Sequence, residues 1–356
     1  MKHSSENFSK RIIEWYEVNG RKELPWRKDI TPYRVWISEI MLQQTQVKTV
    51  IPYFEKFLSA FPTIESISNA TEDEILALWS GLGFYRRAQN IFKTKEVINS
   101  EHHGIFPKTF DELEKLPGIG RSTAGAIMAI AYQQPYPILD ANVKRVIQRY
   151  LKLQAANKTQ LTKRLWSESE KLKPQMKIFE YTQGIMDIGA TICKAKTADC
   201  SKCPLNQNCL SAFSEIERSD INKNKKTTRK EKINFILAYT NEKTLLFKRD
   251  EKRYWQHLWA PYEFKGSKQT VINKKKALNS KNLKIDHKLS HLELEIKLML
   301  LEFDNEFNIA SNMEYSWVNK KNIENFGIPK PIKLSLIHIS EPTRQEAISY
   351  AVFCLK

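Results

Sequence analysis

The 356-residue sequence contains no run of about 18 consecutive apolar residues, the length that a membrane-spanning helix needs. Residues 1–17 also lack the apolar core of a secretory signal peptide. We therefore expect a cytoplasmic protein without a membrane-spanning helix. Because disulfide bonds are disfavoured in that reducing compartment, cysteines that crowd together in this sequence need another explanation.

The sequence has fewer acidic than basic residues. The chain has 57 lysine and arginine residues against 40 aspartate and glutamate residues, a formal net charge of +17 at pH 7. Such an excess favours an anionic partner, and composition alone leaves nucleic acid and an acidic membrane surface both open. The length predicts two or three domains.

Strand-like alternation is absent before about residue 230, so residues 1–213 are predicted to form an all-α domain. The Lys-rich stretch 214–232 has no apolar periodicity and is predicted to be a basic linker. Alternation beyond it predicts an α+β domain over residues 233–332. Residues 333–356 match neither domain, resemble a translated sequencing adaptor, and are expected to be non-native.

Individual elements follow from the same periodicities. Apolar residues at helical spacing predict one helix over residues 35–60 and another over residues 122–131. In the second domain, a hairpin is predicted to turn at Asn241 and Glu242, and leucines in alternation predict a half-buried strand over residues 292–300.

Two glycines, Gly118 and Gly120, separate two predicted helices, and Asp140 follows twenty positions after the second glycine. Bare backbone amides at a helix N-terminus can hold a phosphate group. The alternative is a tight connection in which glycine serves geometry only. The sequence of this hairpin does not decide between them.

Other polar and aromatic positions carry similar pairs of interpretations. Glu39 lies beside the apolar face of its helix, where a partly desolvated carboxyl group would have a raised pKa and could act as an acid; a surface glutamate is the alternative. The uncharged polar residues 43–46 could bind base edges or form a solvated helix face. Phe84 and Tyr85 could stack between bases or belong to the core.

Only one CxxC pair occurs in the chain, whereas structural zinc sites usually use two. Four of the five cysteines nevertheless lie within 17 residues, with gaps of six, two and five residues. Four thiolates in one compact loop suit a [4Fe-4S] cluster, and zinc remains the alternative. The four cysteines are Cys193, Cys200, Cys203 and Cys209.

Several motifs taken together resemble the adenine DNA glycosylases of the MutY type. The resemblance implies a helix-hairpin-helix glycosylase domain with a six-helix region at about 30–135, one [4Fe-4S] cluster in the loop 193–209, and a Nudix-like C-terminal domain. The REx2EE core of Nudix hydrolases is missing, so that domain is expected to recognise a base. The motifs are LPWR (24–27), SEIMLQQTQV (38–47), GLGFYRRA (81–88), LPGIGRSTAGAI (116–127), LDANVKR (139–145), MDIGATIC (186–193) and LSH (289–291).

The resemblance implies a reaction and its catalytic residues. Adenine opposite 8-oxoguanine or guanine in double-stranded DNA is flipped out and its N-glycosidic bond is hydrolysed. Glu39 would protonate adenine at N7, Asp140 would stabilise the cationic sugar, and Asn142 would support Asp140. The expected partner is therefore duplex DNA, bound by a monomer associated with the nucleoid.

The remaining site residues are also implied by the resemblance. Phe84 stands where the family usually has tyrosine, and Leu289 stands where phenylalanine is common. The implied positions are Trp26, Arg27 and Gln183 in the adenine pocket; Gln44, Thr45, Leu82 and Phe84 around the opposite base; Ser290 and His291 for 8-oxoguanine; and Gly118, Gly120 and Lys144 on the DNA backbone.

Ser122 is the position that best separates related activities. Bifunctional glycosylases of the endonuclease III type carry a lysine there, whose amine forms a Schiff base and drives strand cleavage. Ser122, taken as a substrate-contacting residue, cannot form a Schiff base, so the sequence predicts a monofunctional enzyme. The alternatives are an endonuclease III-like glycosylase/lyase that acts on damaged pyrimidines, and a non-catalytic protein that binds DNA lesions.

Overall fold

The computed structural model describes residues 5–214, 229–251, 253–264, 271–289 and 292–340. These residues divide into two compact units. Of the described residues, the first unit contains 5–70 and 89–214. The second contains residues 71–88 together with the C-terminal half. Among these residues no helix is long and apolar enough to cross a membrane.

The described part of the first unit is built from helices and turns, as predicted. The helices of this half of the chain, including one in the second unit, are α1 Ser5–Asn19, α2 Pro32–Leu42, α3 Val47–Ala60, α4 Ile64–Ser68, α5 Glu72–Trp79, α6 Arg86–Glu101, α7 Phe110–Lys115, α8 Arg121–Ile130, α9 Ala141–Tyr150, α10 Lys158–Leu172 and α11 Ile178–Asp187. A π-helical turn, Ile188–Ile192, extends α11.

The single helix predicted over residues 35–60 is wrong. Helix α2 ends at Leu42 and α3 begins at Val47, and Gln44 between them has a positive φ of 57°. Residues 43–46 are therefore a break between two helices, and not the solvated helix face considered from the sequence. Because glutamine is a good helix former, local preference conceals the break, which arises where α2 and α3 pack against each other.

Helix α8 lies in the core of the first unit. All its residues from 123 to 130 are buried. A Cβ on Gly125 would lie 2.3 Å from the carbonyl oxygen of Pro137, so only glycine allows this approach. The contact places residues 137–140 alongside the start of α8, which brings two of the predicted site segments together.

The second unit contains one mixed sheet. Its order is β3-β2-β1-β6-β5, with β4 on β1 and β7 on β2; β1 and β6 are parallel, and the other pairs are antiparallel. The predicted hairpin and the predicted strand are both confirmed. The strands are β1 Arg229–Tyr239, β2 Lys243–Lys248, β3 Trp259–Ala260, β4 Tyr262–Glu263, β5 Asn279–Lys288, β6 Leu292–Glu302 and β7 Tyr315–Asn319.

Helical elements complete the second unit at both ends of its sequence. Helix α12, Lys330–Ser340, crosses the boundary at 332 that was predicted from sequence, and Leu336 within it is buried. Helix α5 begins with a capping box, in which the Thr71 side chain accepts a hydrogen bond from the Glu74 amide and the Glu74 carboxylate accepts one from the Thr71 amide. The domain boundary predicted at residue 213 places residues 71–88 in the helical domain, whereas the structure groups them with the sheet.

Candidate active site

Asp140 caps the N-terminus of α9 beside the start of α8. One carboxylate oxygen accepts a hydrogen bond from the Val143 amide at 2.7 Å, and the other accepts one from Asn142 Nδ2 at 3.2 Å. The Leu139 amide donates to Ser122 Oγ at 3.0 Å. Two helix N-termini, both of which favour negative charge, are thus joined next to this carboxylate.

Glu39 of α2 is partly buried and lies close enough to Asp140 for their charges to interact. Burial, followed by repulsion from Asp140, raises the pKa of Glu39 to about 8, against the opposing effect of Arg27. Burial also raises the pKa of Asp140, but hydrogen bonds from Val143 and Asn142 counteract it. The donors at Asp140 favour its ionised form, whereas burial and the charge of Asp140 favour the protonated form of Glu39.

Arg145 links Asn142 to the chain that leads into the cysteine loop. Its Nη2 donates to Asn142 Oδ1 at 2.9 Å and to the Gly189 carbonyl at 2.5 Å, while its Nε donates to the Cys193 carbonyl at 2.6 Å. The amide that supports Asp140 is therefore held by the same guanidinium group that holds the first cysteine.

The four cysteines are partly buried, and Cys203 lies close enough to the other three for their charges to interact. Burial raises the pKa of Cys203 to about 11, and the charges of the other three thiols also raise it. Arg149 Nη1 donates to Cys193 Sγ at 3.4 Å. Within the described ranges, no three His, Cys, Asp or Glu side chains are grouped closely enough to hold a metal ion. Four thiol side chains in one loop, with arginine beside them, fit an iron–sulfur cluster, because the cluster and its four thiolates together are anionic.

The residues expected in an adenine pocket are found in two environments. Trp26 and Gln183 are buried, and the Trp26 ring meets Phe54 edge to face at 5.6 Å. Arg27 forms a bidentate ion pair with Asp187, with distances of 2.7 and 2.8 Å. The guanidinium group of Arg27 is thus bound to protein, which leaves Trp26 and Gln183 as the better candidates for contacts with a base.

Asp187 is a site residue that sequence reasoning missed. Its side chain is fully buried and also pairs with Arg21 at 2.6 Å. Burial opposes ionisation, but hydrogen bonds and charge from Arg27 and Arg21 lower the pKa of Asp187. The available signal was an acidic residue among apolar neighbours in MDIGATIC, since a buried carboxylate requires charged partners.

The two glycines of the hairpin differ. Gly118 has a φ of +80°, and a Cβ there would lie 2.6 Å from Asn90 Nδ2, so this glycine is required by geometry. Gly120 caps α8, and a Cβ there would meet nothing within 4 Å. The space directly beside Gly120 is therefore open. Lys144 Nζ bonds Thr162 Oγ1 at 3.3 Å.

The positions expected around the opposite base belong to different units. Gln44 and Thr45 lie in the break between α2 and α3 of the first unit. Leu82 and Phe84 lie in the second unit, where Leu82 is buried and Phe84 is 44% exposed with a φ of +50°. Ser290 and His291 lie outside the described residues.

Comparisons with known proteins agree with this arrangement. Residues 37–171 match the model of the HhH-GPD superfamily of base excision DNA repair proteins, and residues 234–338 match the model of the NUDIX domain. A solved thermostable thymine-DNA glycosylase superposes with a TM-score of 0.54 at 29% identity, covering 58% of this chain and 96% of that one. Fold and site thus define a helix-hairpin-helix DNA glycosylase with an added Nudix domain.

Relatives narrow the class further. The adenine DNA glycosylase of Buchnera aphidicola subsp. Schizaphis graminum is 41% identical over 336 residues, which cover 92% of this chain and 96% of the relative. The adenine DNA glycosylase of Buchnera aphidicola subsp. Acyrthosiphon pisum is 40% identical over 335 residues, which cover 92% and 95%. The chain belongs to the adenine DNA glycosylase family, a family of hydrolases that cleave N-glycosidic bonds and are known to carry an iron–sulfur cluster.

Proposed function

We propose that the enzyme removes adenine mispaired with 8-oxoguanine or guanine in double-stranded DNA, as a monofunctional glycosylase in base excision repair. The observation that carries this proposal is a pair of interacting carboxyl groups: Glu39, whose pKa is raised to about 8, and Asp140, which accepts hydrogen bonds from Val143 and Asn142. The net charge of +17 supports a DNA partner. The names of the relatives support adenine as the base that is removed.

Glu39 acts as the general acid. Its raised pKa keeps it protonated at neutral pH, so it can transfer a proton to N7 of the flipped adenine as the glycosidic bond breaks. In its ionised form, Asp140 stabilises the positive charge that develops on the sugar, while Asn142 fixes the orientation of its carboxylate. Adenine leaves with the proton from Glu39, and water then adds at the anomeric carbon, returns a proton to the Glu39 carboxylate and leaves an abasic site.

Ser122 restricts the reaction to base removal. Its hydroxyl oxygen accepts the Leu139 amide, and it provides no amine that could form a Schiff base. We therefore expect no strand cleavage by the enzyme itself, in contrast to an endonuclease III-like glycosylase/lyase.

The cysteines Cys193, Cys200, Cys203 and Cys209 would hold one [4Fe-4S] cluster, which fixes the loop and takes no part in the chemistry. Broad visible absorption and about four iron atoms per chain are the expected result. A protein purified with zinc and no iron would contradict this proposal. The lysines of the loop, Lys194, Lys196 and Lys202, would face a phosphate backbone.

The remaining positions are assigned to DNA. The N-terminus of α8 with Gly118 and Gly120, together with Lys144, would bind the backbone, since helix N-termini bind phosphate. Trp26 and Gln183 would contact the flipped adenine, with Arg27 as part of the pocket wall. The positions assigned to the opposite base are Gln44, Thr45, Leu82, Phe84, Ser290 and His291.

The test is incubation of the protein with a duplex that contains adenine opposite 8-oxoguanine, with and without alkali. The expected result is cleavage only after alkali, and none with Asp140→Asn, which should still bind the duplex. Glu55→Gln, an exposed residue of α3, is a matched control that should keep full activity.

Strand cleavage without alkali at the full glycosylase rate would favour the lyase alternative. Binding of the duplex by the unmodified protein without any release of adenine would favour the non-catalytic alternative.

A further inference from the structure

Within the second unit, helix α5 is attached to the sheet through Asp73 in its first turn. One carboxylate oxygen accepts Trp259 Nε1 at 3.0 Å, and the other accepts Lys248 Nζ at 3.3 Å. The Lys248 ammonium group also lies 5.6 Å from the centre of the Trp259 ring. Asp73 and Lys248 are both mostly buried, so this charge-assisted contact is screened less than a surface pair. One carboxylate thus joins α5 to β2 and β3.

The helix also approaches the sheet unit through its apolar side. A Cβ on Gly327 would lie 2.6 Å from Leu76 Cβ, so the two backbones approach as closely as glycine allows. The Trp259 amide donates to the Gly327 carbonyl at 2.8 Å. Trp259 contacts Asp73 of α5 and Gly327 contacts Leu76 of α5, and these two contact points are themselves joined by a hydrogen bond.

A second hydrogen bond joins the other end of α5. Ser80, the residue directly after α5, donates from Oγ to the Ile328 carbonyl at 2.7 Å. The loop that follows also has hydrogen bonds of its own. Trp79 Nε1 and Arg87 Nη2, from the two ends of the loop, both donate to the Gly83 carbonyl, at 3.0 and 3.1 Å. The loop is therefore tied at Ser80 to the segment that precedes α12, and it is internally supported as far as Gly83.

This loop presents Phe84, whose exposed ring the proposed function places at the base opposite adenine. A side chain that separates stacked bases works against a few kcal/mol of stacking energy, so it must be supported rigidly. Residues 290 and 291, assigned to 8-oxoguanine, directly precede β6 of the same sheet. In the proposed function, the residues assigned to 8-oxoguanine therefore belong to the unit to which the loop is attached.

We propose that Asp73 and Ser80 are positioning residues through which the C-terminal sheet unit holds the loop 81–84, and that this attachment sets the preference for 8-oxoguanine over guanine opposite adenine. The inference rests on the proposed function for its second part only. Neither residue contacts the reacting atoms. Both act through the position of Leu82 and Phe84.

The test compares Asp73→Asn and Ser80→Ala with the unmodified full-length protein. Asp73→Asn keeps an acceptor for Trp259 but removes the charge that binds Lys248, and Ser80→Ala removes only one hydroxyl. Each should speed amide hydrogen exchange in residues 80–88 about fivefold to tenfold, because each loses about one hydrogen bond. Asp111→Asn, a first-turn acid of α7 in the first unit, should leave exchange there unchanged.

The second measurement is the ratio of adenine release rates opposite 8-oxoguanine and opposite guanine. We expect this ratio to fall at least about threefold in both variants while the rate opposite guanine is kept. Unchanged exchange in residues 80–88 would overturn the attachment, and faster exchange with an unchanged ratio would overturn its role in lesion preference. If the unmodified protein releases no adenine, the proposed function fails, whereas the exchange comparison still decides the attachment.

Discussion

Replacing Glu39 with glutamine should stabilise the folded protein at the same time as it removes the proposed general acid. The pKa of Glu39 rises from 4.5 to about 8 on folding, chiefly because the carboxyl group is buried and lies near Asp140. At pH 7 the unfolded chain therefore carries an ionised glutamate where the folded chain carries a protonated one. The 2.5 units between pH 7 and the ordinary pKa correspond to a cost of about 3 kcal/mol.

The sign of this effect gives it a distinctive pH dependence. A carboxyl group with a raised folded-state pKa lowers stability once the pH exceeds its unfolded pKa, and the loss grows until the pH passes the folded pKa. The cost is about 1 kcal/mol at pH 5 and about 4 kcal/mol at pH 8. Glutamine does not titrate, so Glu39→Gln should raise the melting temperature by roughly 2–4 °C per kcal/mol, with a larger gain at pH 8.

The assay is thermal unfolding followed by circular dichroism at pH 5 to 9 and one scan rate, with Glu55→Gln as the exposed control. The control should melt like the unmodified protein throughout. A gain for Glu39→Gln that is the same at pH 5 and pH 8, or a loss at pH 8, would refute the reasoning. Such a result would mean that Glu39 is solvated and is not suited to act as an acid.

Three further predictions follow from the site. The single-turnover rate of adenine release should fall about tenfold per pH unit as the pH rises above about 8. Glu39→Gln should lower this rate by about 10²–10⁴-fold while duplex binding is kept. A rate that rises with pH would contradict the acid role. Gly118→Ala should lower the free energy of unfolding by about 1–3 kcal/mol, because of the positive φ of Gly118 and its contact with Asn90. Gly120→Ala should lower it by about 1 kcal/mol or less and mainly weaken duplex binding. Equal losses of melting temperature in the two variants would be inconsistent with this difference. Asp187→Asn should destabilise the fold by about 3–5 kcal/mol, because it leaves two guanidinium groups without their buried partner, and an unchanged melting temperature would count against this role.

The sequence alone was sufficient wherever a structure depends on near neighbours. The capping box of Thr71 and Glu74 and the cap that Thr109 forms on α7 involve residues three positions apart, so the sequence shows them directly. Alternating leucines predicted β6 because side chains of a strand point alternately to its two faces. Four cysteines within 17 residues belong to one short segment, so the sequence shows directly that they share a loop region.

Only the tertiary structure decided features that depend on packing between distant segments. Helical periodicity continues across residues 43–46, and the break there exists because α2 and α3 fold back on each other. The attachment of α5 to the sheet joins Asp73 to strands more than 170 positions away, for which local preference carries no signal. Likewise, Glu39 is an ordinary glutamate in sequence, and it becomes an acid with a pKa near 8 because burial and Asp140 penalise its charge.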